Sequence, residues 1–277
     1  MKKGLYIIAV PIGNLSDISE RAKSTLEACN IIACEDTRVT KKLLSLLNLS
    51  TKKTFIPLHD HNEEEKSQKI IELINDGNPV ALVSDAGSPL ISDPGYKLVH
   101  KLKQNNLPIT TIPGACAIVC ALQLSALPTN RFMFAGFVPN KDKARKDLFQ
   151  ELKDIQTTLV FYETAPRLIK TLETAKAFFQ NRLASVAREL TKVYEESITD
   201  SIDNLILHYT KNPPKGEIVL IFAPPLQKEV KDIDIEKILK SKLKELTLKI
   251  AVKQTVEETG LPKNFVYEQA LKLKDKK

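Results

Sequence analysis

The sequence predicts two α/β domains, a parallel sheet in the first and a mixed sheet in the second, followed by a small helical tail. Three observations carry this. Short continuous apolar runs alternate with segments of helical period through residues 1–120, the pattern of strands covered on both faces and of the helices that cover them. The connections between them are short, as in doubly wound sheets. And 277 residues exceed the roughly 150 of an average domain.

Leu5–Val10 is the first apolar run. It is too short for the core of a secretion signal and no small-residue cleavage site follows, so it reads as a strand. PIGN (11–14) turns the chain. Asp17, with Glu20 three residues on, offers a capping box to a helix in which Ile18, Ala22, Leu26 and Cys29 share a face. Strand Ile31–Cys34 ends in EDTR (35–38), a helix follows at 39–47, and Thr54–Leu58 is a short strand. Glu63–Asp76 is a helix closed by Gly77. Val80–Ser84 is a strand ending at Asp85, Tyr96–Asn105 a helix, and Ile109–Ile112 a strand ending at Pro113 and Gly114. A further helix begins near Ala115, and residues 125–140 read as a linker. Beyond it come a helix at 142–153, strand Thr158–Glu163, a helix at 165–179 and strands Ala184–Arg188 and Glu195–Thr199. Helix Ile202–Tyr209 and strand Glu217–Phe222 complete the second domain. Ala223, Pro224 and Pro225 then break the chain. The rest is helical, with Gly260 and Pro262 separating two helices. The expected domains are therefore 1–118, 119–225 and 226–277.

A hydrophobic fraction of 43% and a charged fraction of 27% exclude a largely disordered chain. No apolar run approaches the roughly 18–20 residues of a membrane span, so no membrane partner is expected. The net charge of +7 suits a polyanionic partner without requiring one. Residues 226–277 hold 13 Lys against nine acidic residues, and a second basic stretch contains Arg38, Lys41, Lys42, Lys52 and Lys53. Cys29, Cys34, Cys116 and Cys120 form no CxxC pair, and His59 and His61 lie apart from them. Reduced cysteines in a cytoplasmic protein, and no metal site, are the expectation.

The polar, Gly- and Pro-bearing segments PIGN, EDTR, SDAGSP and PGA all fall at strand ends, where doubly wound sheets bind ligands. No GxGxxG and no GxxxxGK[ST] is present, so dinucleotide and P-loop sites lose their main support. SDAGSPLISDPG (84–95) is the most informative segment. Asp85 ends a buried strand, and Ala86, Gly87 and Ser88 are small enough for main chain to touch a ligand. A carboxylate beside bare backbone suits an amino-acid or nucleoside moiety better than polyphosphate. The alternative is a loop whose Asp caps the next turn. Asp36 and Arg38, Glu163 and Arg167, and Arg188 and Lys192 lie at other strand ends. They are either structural ion pairs or the charged lining of a cleft that holds phosphates and moves a proton.

The ordered set PIGNLxD, EDTR, DHNE, SDAGxPxISDPG, IPG, LPTxRFxFxGFxP, YE with RL, RELTKxYEE and GE spans nearly the whole chain. It resembles the tetrapyrrole (corrin/porphyrin) methylase superfamily, in its branch of small-subunit ribosomal RNA methyltransferases. The resemblance implies two α/β domains, S-adenosylmethionine bound between them, a homodimer, and 2′-O-methylation of a cytidine in the decoding region of 16S rRNA in the small ribosomal subunit. It assigns Pro11, Ile12, Asp85, Ala86, Gly87, Ser88, Leu90, Cys116, Ala117, Tyr162 and Ala187 to the donor. Asp36, Arg38, Glu163, Arg167, Arg188 and Lys192 fall on the RNA side. Asp36 or Glu163 is the expected base or hydroxyl-orienting group, and Arg38, Arg188 and Lys192 are the expected holders of phosphate or ribose. The chain departs from the family at Cys116, where a Ser is usual, at Asn130, where an acid is usual, and at Pro166, where a His is usual. No role of that His carries over. The rival expectations are a methyltransferase of tetrapyrrole precursors and a non-catalytic RNA- or nucleotide-binding module.

Overall fold

A computed structural model describes residues 1–59, 61–225, 235–259 and 261–274. The chain divides into two compact units, Met1–Pro225 and Leu226–Lys277. In the first half of the larger unit, β1 (Gly4–Ile8), β2 (Ile31–Cys34), β3 (Thr54–Pro57), β4 (Pro79–Val83) and β5 (Ile109–Ile112) form a sheet of order β3-β2-β4-β1-β5. All its pairings are parallel. Alternate residues explain why the central strands β1, β2 and β4 read as largely apolar runs. Leu5, Ala33, Val80 and Leu82 face one core with the helices α3 (Glu63–Asn75) and α4 (Tyr96–Gln104). Ile8, Ile32, Cys34, Ala81 and Val83 face the other, with α1 (Glu20–Ala28) and α2 (Thr37–Leu46).

The start of α1 differs from expectation. Ser19 is its cap, accepting from the Ala22 N–H at 3.1 Å, and Asp17 lies in a separate 3₁₀ turn capped by Asn14. Nearness to the main chain decides here: the Ser hydroxyl adjoins the first turn, so the Asp17–Glu20 box is not used. Gly77 closes α3 as expected, at φ +94 with its N–H on the Ile74 carbonyl.

The second sheet has the order β6-β7-β10-β8-β9. It comprises β6 (Phe132–Phe137), β7 (Thr158–Thr164), β8 (Leu183–Arg188), β9 (Glu196–Ser201) and β10 (Glu217–Phe222). β6 runs parallel to β7 and the other pairings are antiparallel. The segment read as a linker thus contains an edge strand. Its alternation was hidden because Phe132, Met133 and Phe137 are exposed while a β-bulge interrupts the register between Phe134 and Phe137. Helices α6 (Asp142–Leu152), α7 (Leu168–Phe179) and α8 (Ile202–Lys211) cover one face. There Phe149 meets Phe161, Phe179 and Phe222 at ring-centroid distances of 5.9, 5.1 and 6.3 Å. α5 (Ala117–Leu124) covers the other face through Ile118, Ala121 and Leu122.

The smaller unit holds α9 (Ile235–Glu245), α10 (Leu248–Thr259) and α11 (Lys263–Lys274), around Leu239, Val252, Leu261, Val266 and Ala270. Among its described residues there are three helices where periodicity suggested two. The Gly260 expected to separate helices lies outside the described residues, as does Asp60 of DHNE. Among the described residues no helix is long and apolar enough to cross a membrane. No group of three His, Cys, Asp or Glu among them is disposed to hold a metal.

Candidate functional site

In a doubly wound sheet the carboxyl ends of adjacent strands open a crevice, and here the chain after β4 is fastened across the end of β1. Val10 and Gly87 exchange two main-chain hydrogen bonds, at 2.8 and 3.1 Å. Gly87 stands at φ +69, and a Cβ there would come within 3.2 Å of Ile12 Cγ2. Ser88 donates to the Ala115 carbonyl at 3.3 Å, which joins this turn to the one after β5. The far end of the segment is held by Glu63, a buried residue opening α3. Its carboxylate accepts from the N–H groups of Gly95 and Leu98, at 3.1 and 3.0 Å. A carboxylate at a helix N-terminus is favoured by the helix dipole, so Glu63 caps α4 from another element. Sequence spacing could not show this, because the partners are more than 30 residues away.

The strand ends of both sheets line one cavity of about 400 Å³. From the first sheet it takes Ile12, Glu35, Asp85, Ala86, Gly87 and Ser88, then Asp93, Cys116 and Ala117. From the second it takes Phe137, Tyr162, Glu163, Glu189, Leu190, Lys192 and Val219. The two walls touch at Gly13, where an added Cβ would lie 2.5 Å from Lys192 Cγ, and the Asn14 N–H donates to Thr191 Oγ1 at 3.0 Å. Tyr162 is half-buried against Phe134 and Phe137, and burial pushes its phenol pKa up, keeping it a neutral donor.

Of the residues expected at the donor, Ile12, Asp85, Ala86, Gly87, Ser88, Cys116, Ala117 and Tyr162 line the cavity. Pro11, Leu90 and Ala187 are not among the lining residues. Leu90, at φ +72, packs against the core under α3 and α4. Ala187 is fully buried behind the wall, packed with Ile118 and Ala121. Of the residues expected on the RNA side, Glu163 and Lys192 line the cavity; Asp36, Arg38, Arg167 and Arg188 do not.

Their contacts show why. Asp36 caps α2, accepting from the Arg38 N–H at 2.7 Å and pairing with the Arg38 guanidinium. Those bonds hold its carboxyl down to about 2, which makes it a weak base. Its own N–H donates to Asp85 Oδ1 at 3.1 Å, so it orients the carboxylate of the central loop. Glu163 has a fully buried carboxylate that accepts from the Thr164 N–H, Arg167 Nε and Thr171 Oγ1. Arg188 lies on the opposite face of β8 from Ala187 and pairs with Glu196 of β9 through two bonds, at 2.9 and 3.1 Å. Glu196 also accepts from the Tyr209 hydroxyl at 3.0 Å. The structure therefore makes Arg188 a tie between strands rather than a holder in the cleft. Cys29 and Cys34 are buried, with thiols pushed up to about 11 by that burial, whereas Cys116 and Cys120 are only half-buried.

Glu35 of EDTR and Glu189 beside Arg188, both at charged strand ends in the sequence, also line the cavity, whereas Asp93, Phe137, Leu190 and Val219 on its wall were not singled out. Strand-end position would have found Leu190; nothing local marks Val219, near the amino end of an antiparallel strand.

The family model described as Tetrapyrrole (Corrin/Porphyrin) Methylases matches residues 4–206, and the one described as RsmI C-terminal HTH domain matches residues 229–274. The protein of Erythrobacter litoralis named ribosomal RNA small subunit methyltransferase I is 48% identical, over 99% of this chain and 96% of its own length. The protein of that name from Rickettsia prowazekii is also 48% identical, over 86% of this chain and 85% of its own. Among solved structures, diphthine synthase superimposes with a TM-score of 0.62 at 15% identity, covering 79% of this chain and 89% of that one. The methyltransferase CobJ does so at 0.60 and 14%, covering 82% and 97%. These two likenesses concern the fold alone. With a family model over most of its length and relatives near half identical, the chain belongs to the tetrapyrrole (corrin/porphyrin) methylase family, in the group of ribosomal RNA small subunit methyltransferase I.

Proposed function

We propose that the protein transfers a methyl group from S-adenosylmethionine to small-subunit ribosomal RNA, at the 2′-hydroxyl of a cytidine in the decoding region of 16S rRNA. The observation that carries this reading is the cavity where Asp85 and the bare main chain of the Gly87 turn face the second sheet. The relatives supply the class of acceptor.

The residues fit the donor. A cavity of about 400 Å³ is within the range of small-molecule sites. It combines a carboxylate, close-approach backbone at a positive-φ glycine and the apolar surfaces of Ile12, Leu190 and Val219. S-adenosylmethionine, when bound, supplies an electrophilic methyl on a sulfonium. Asp85, oriented by the Asp36 N–H, accepts hydrogen bonds from it, and Ala86 to Ser88 with Cys116 and Ala117 shape its seat. Lys192, held by Glu189 at 2.9 Å, meets the anionic acceptor. Arg38, with an exposed side chain beside Asp36, receives phosphate outside the cavity. The reaction needs alignment above all, and fixed alignment is worth on the order of 7–11 kcal/mol in favourable cases. In this reading residues 1–118 and 119–225 are the two domains that share the cleft, and the active species is a cytoplasmic homodimer.

The test uses small subunits from a strain lacking the enzyme, incubated with the full chain and methyl-labelled donor. Label in the ribose of one cytidine of 16S rRNA is expected. Label in a base, label only in a tetrapyrrole precursor, or donor binding without transfer would each overturn the reading.

A further inference from the structure

The two most exposed large apolar side chains among the described residues are adjacent in sequence, Val193 at 92% and Tyr194 at 75%. They follow Lys192, which lines the cavity. Their loop, residues 189–195 between β8 and β9, is not slack. Glu189 and Thr191 both hold positive φ, at 50° and 64°. Non-glycine residues adopt that conformation against strain, and it persists only where surroundings impose it. Here they do. The Lys192 N–H bonds the Glu189 carbonyl at 3.0 Å, the Thr191 N–H bonds the Glu195 carboxylate at 2.6 Å, and the Glu195 N–H bonds the Lys192 carbonyl at 3.2 Å. From the first wall, the Asn14 N–H bonds Thr191 and Gly13 abuts Lys192.

A braced, strained loop that keeps an aromatic ring and a branched side chain in water beside a cleft is built to meet something flat and apolar-faced. From this we infer that Tyr194, supported by Val193, is a stacking platform for an unpaired nucleobase of the acceptor RNA, next to the nucleotide whose ribose enters the cleft. This rests on the proposed rRNA methylation and names its acceptor as single-stranded at that point. Two features favour RNA as occupant. Two side chains offer far less than the roughly 800 Å² per partner of a stable protein interface. The loop adjoins the cleft that the proposed RNA acceptor enters, and the net charge of +7 of the whole chain suits a polyanion. Base edges are read, and ribose reached, where bases are unstacked, and an aromatic ring receives any base because every base has a π-face.

The experiment compares wild type, Tyr194→Ala and Tyr194→Phe of the full chain. It measures affinity for a single-stranded oligonucleotide of the decoding region against salt, S-adenosylmethionine affinity by calorimetry, and sedimentation. Y194A should weaken RNA binding about tenfold, as loss of a base–aromatic stack does, with an unchanged salt slope, since a neutral ring releases no counterions. Y194F should recover wild-type affinity, and donor affinity should stay constant throughout. Unchanged RNA affinity in Y194A, an equal loss of donor affinity, or a change of oligomeric state would overturn the inference, the last by making the pair a self-association contact. Wild-type methyl transfer to small subunits, run alongside, separates this outcome from failure of the proposed function itself.

Discussion

Along the first wall of the cleft, the parallel sheet presents main chain and the exposed carboxylate of Asp85. Along the second, charged side chains are already committed to one another: Glu163 to Arg167, Arg188 to Glu196, Glu189 to Lys192. Both rows read alike in sequence, as acids and bases at strand ends. The difference lies in what backs them. The turn after β4 lies over β1 and is shaped by small residues, so its polar groups face the cavity. The second sheet is backed by α7 and α8, and a carboxylate turned that way is buried. Burying an ion is costly unless it is paired, so Glu163 and Arg188 appear with their partners. Charge at a strand end therefore does not distinguish a binding wall from a braced one; the face on which the side chain leaves the strand does.

Removing Glu163 should break the braced wall most. Glu163→Ala leaves Arg167, Thr171 and the Thr164 N–H without their acceptor, and losing one partner of a buried pair costs about 3–5 kcal/mol. Denaturant unfolding checks this. Glu163→Gln should recover much of the loss, because its amide oxygen can face Arg167 while its NH₂ donates to Thr171. A folded Glu163→Gln that kept kcat would mark Glu163 as a positioning residue; abolished kcat with wild-type stability would restore it as a base. On the other wall the effect moves from stability to binding. Asp85→Ala should lower S-adenosylmethionine affinity about ten- to hundredfold, the worth of a hydrogen bond to a charged group. The unfolding midpoint should hold, because Asp85 is exposed. Gly87→Ala should show both losses in smaller measure. Left-handed backbone costs an L-residue roughly 1–2 kcal/mol, and the new Cβ would press Ile12 at 3.2 Å. Calorimetry of the donor with thermal unfolding of the same variant measures the two together.

How much was legible in the sequence follows from the same contrast. The central strands β1, β2 and β4 of the parallel sheet were readable directly, since both their faces are covered and they are largely apolar runs, while β3 and β5, partly exposed at the sheet edges, were read from their place between helices. The central loop was readable because Asp85, Gly87 and Pro89 are local signals. β6 was hidden by a bulge and by exposed aromatics, which remove the alternation that marks a strand. The ion pairs of Glu163 and Arg188 could be named but not oriented. A strand alternates sides every residue, and sequence does not say which side is the cleft. Glu63 as a cap for α4, and Thr191 as a partner for Asn14, join residues far apart in sequence and have no local signature.

The smallest effect tests whether the first wall also contains spent charge. Asp36 is half-buried and doubly used, as cap of α2 and partner of Arg38, and its carboxyl is held down to about 2 against the ordinary carboxylate near 3.9. A depressed folded pKa means that the unfolded chain takes up the proton first. The stabilisation is therefore fully present above about pH 4 and is lost as pH falls through about 2. Asp36→Asn keeps a capping oxygen but has no charge to titrate. The stability gap between wild type and this variant should be flat from pH 7 to 5, narrow below pH 4 and shrink further toward pH 2. Salt should reduce the gap at neutral pH, because Arg38 is exposed. Urea titrations at stepped pH follow it. A gap that stayed level down to pH 2 would mean that Asp36 is not held by Arg38 in solution. Its carboxylate would then be as available as that of Asp85, and the two would have to be tested as one acidic pair at the mouth of the cleft.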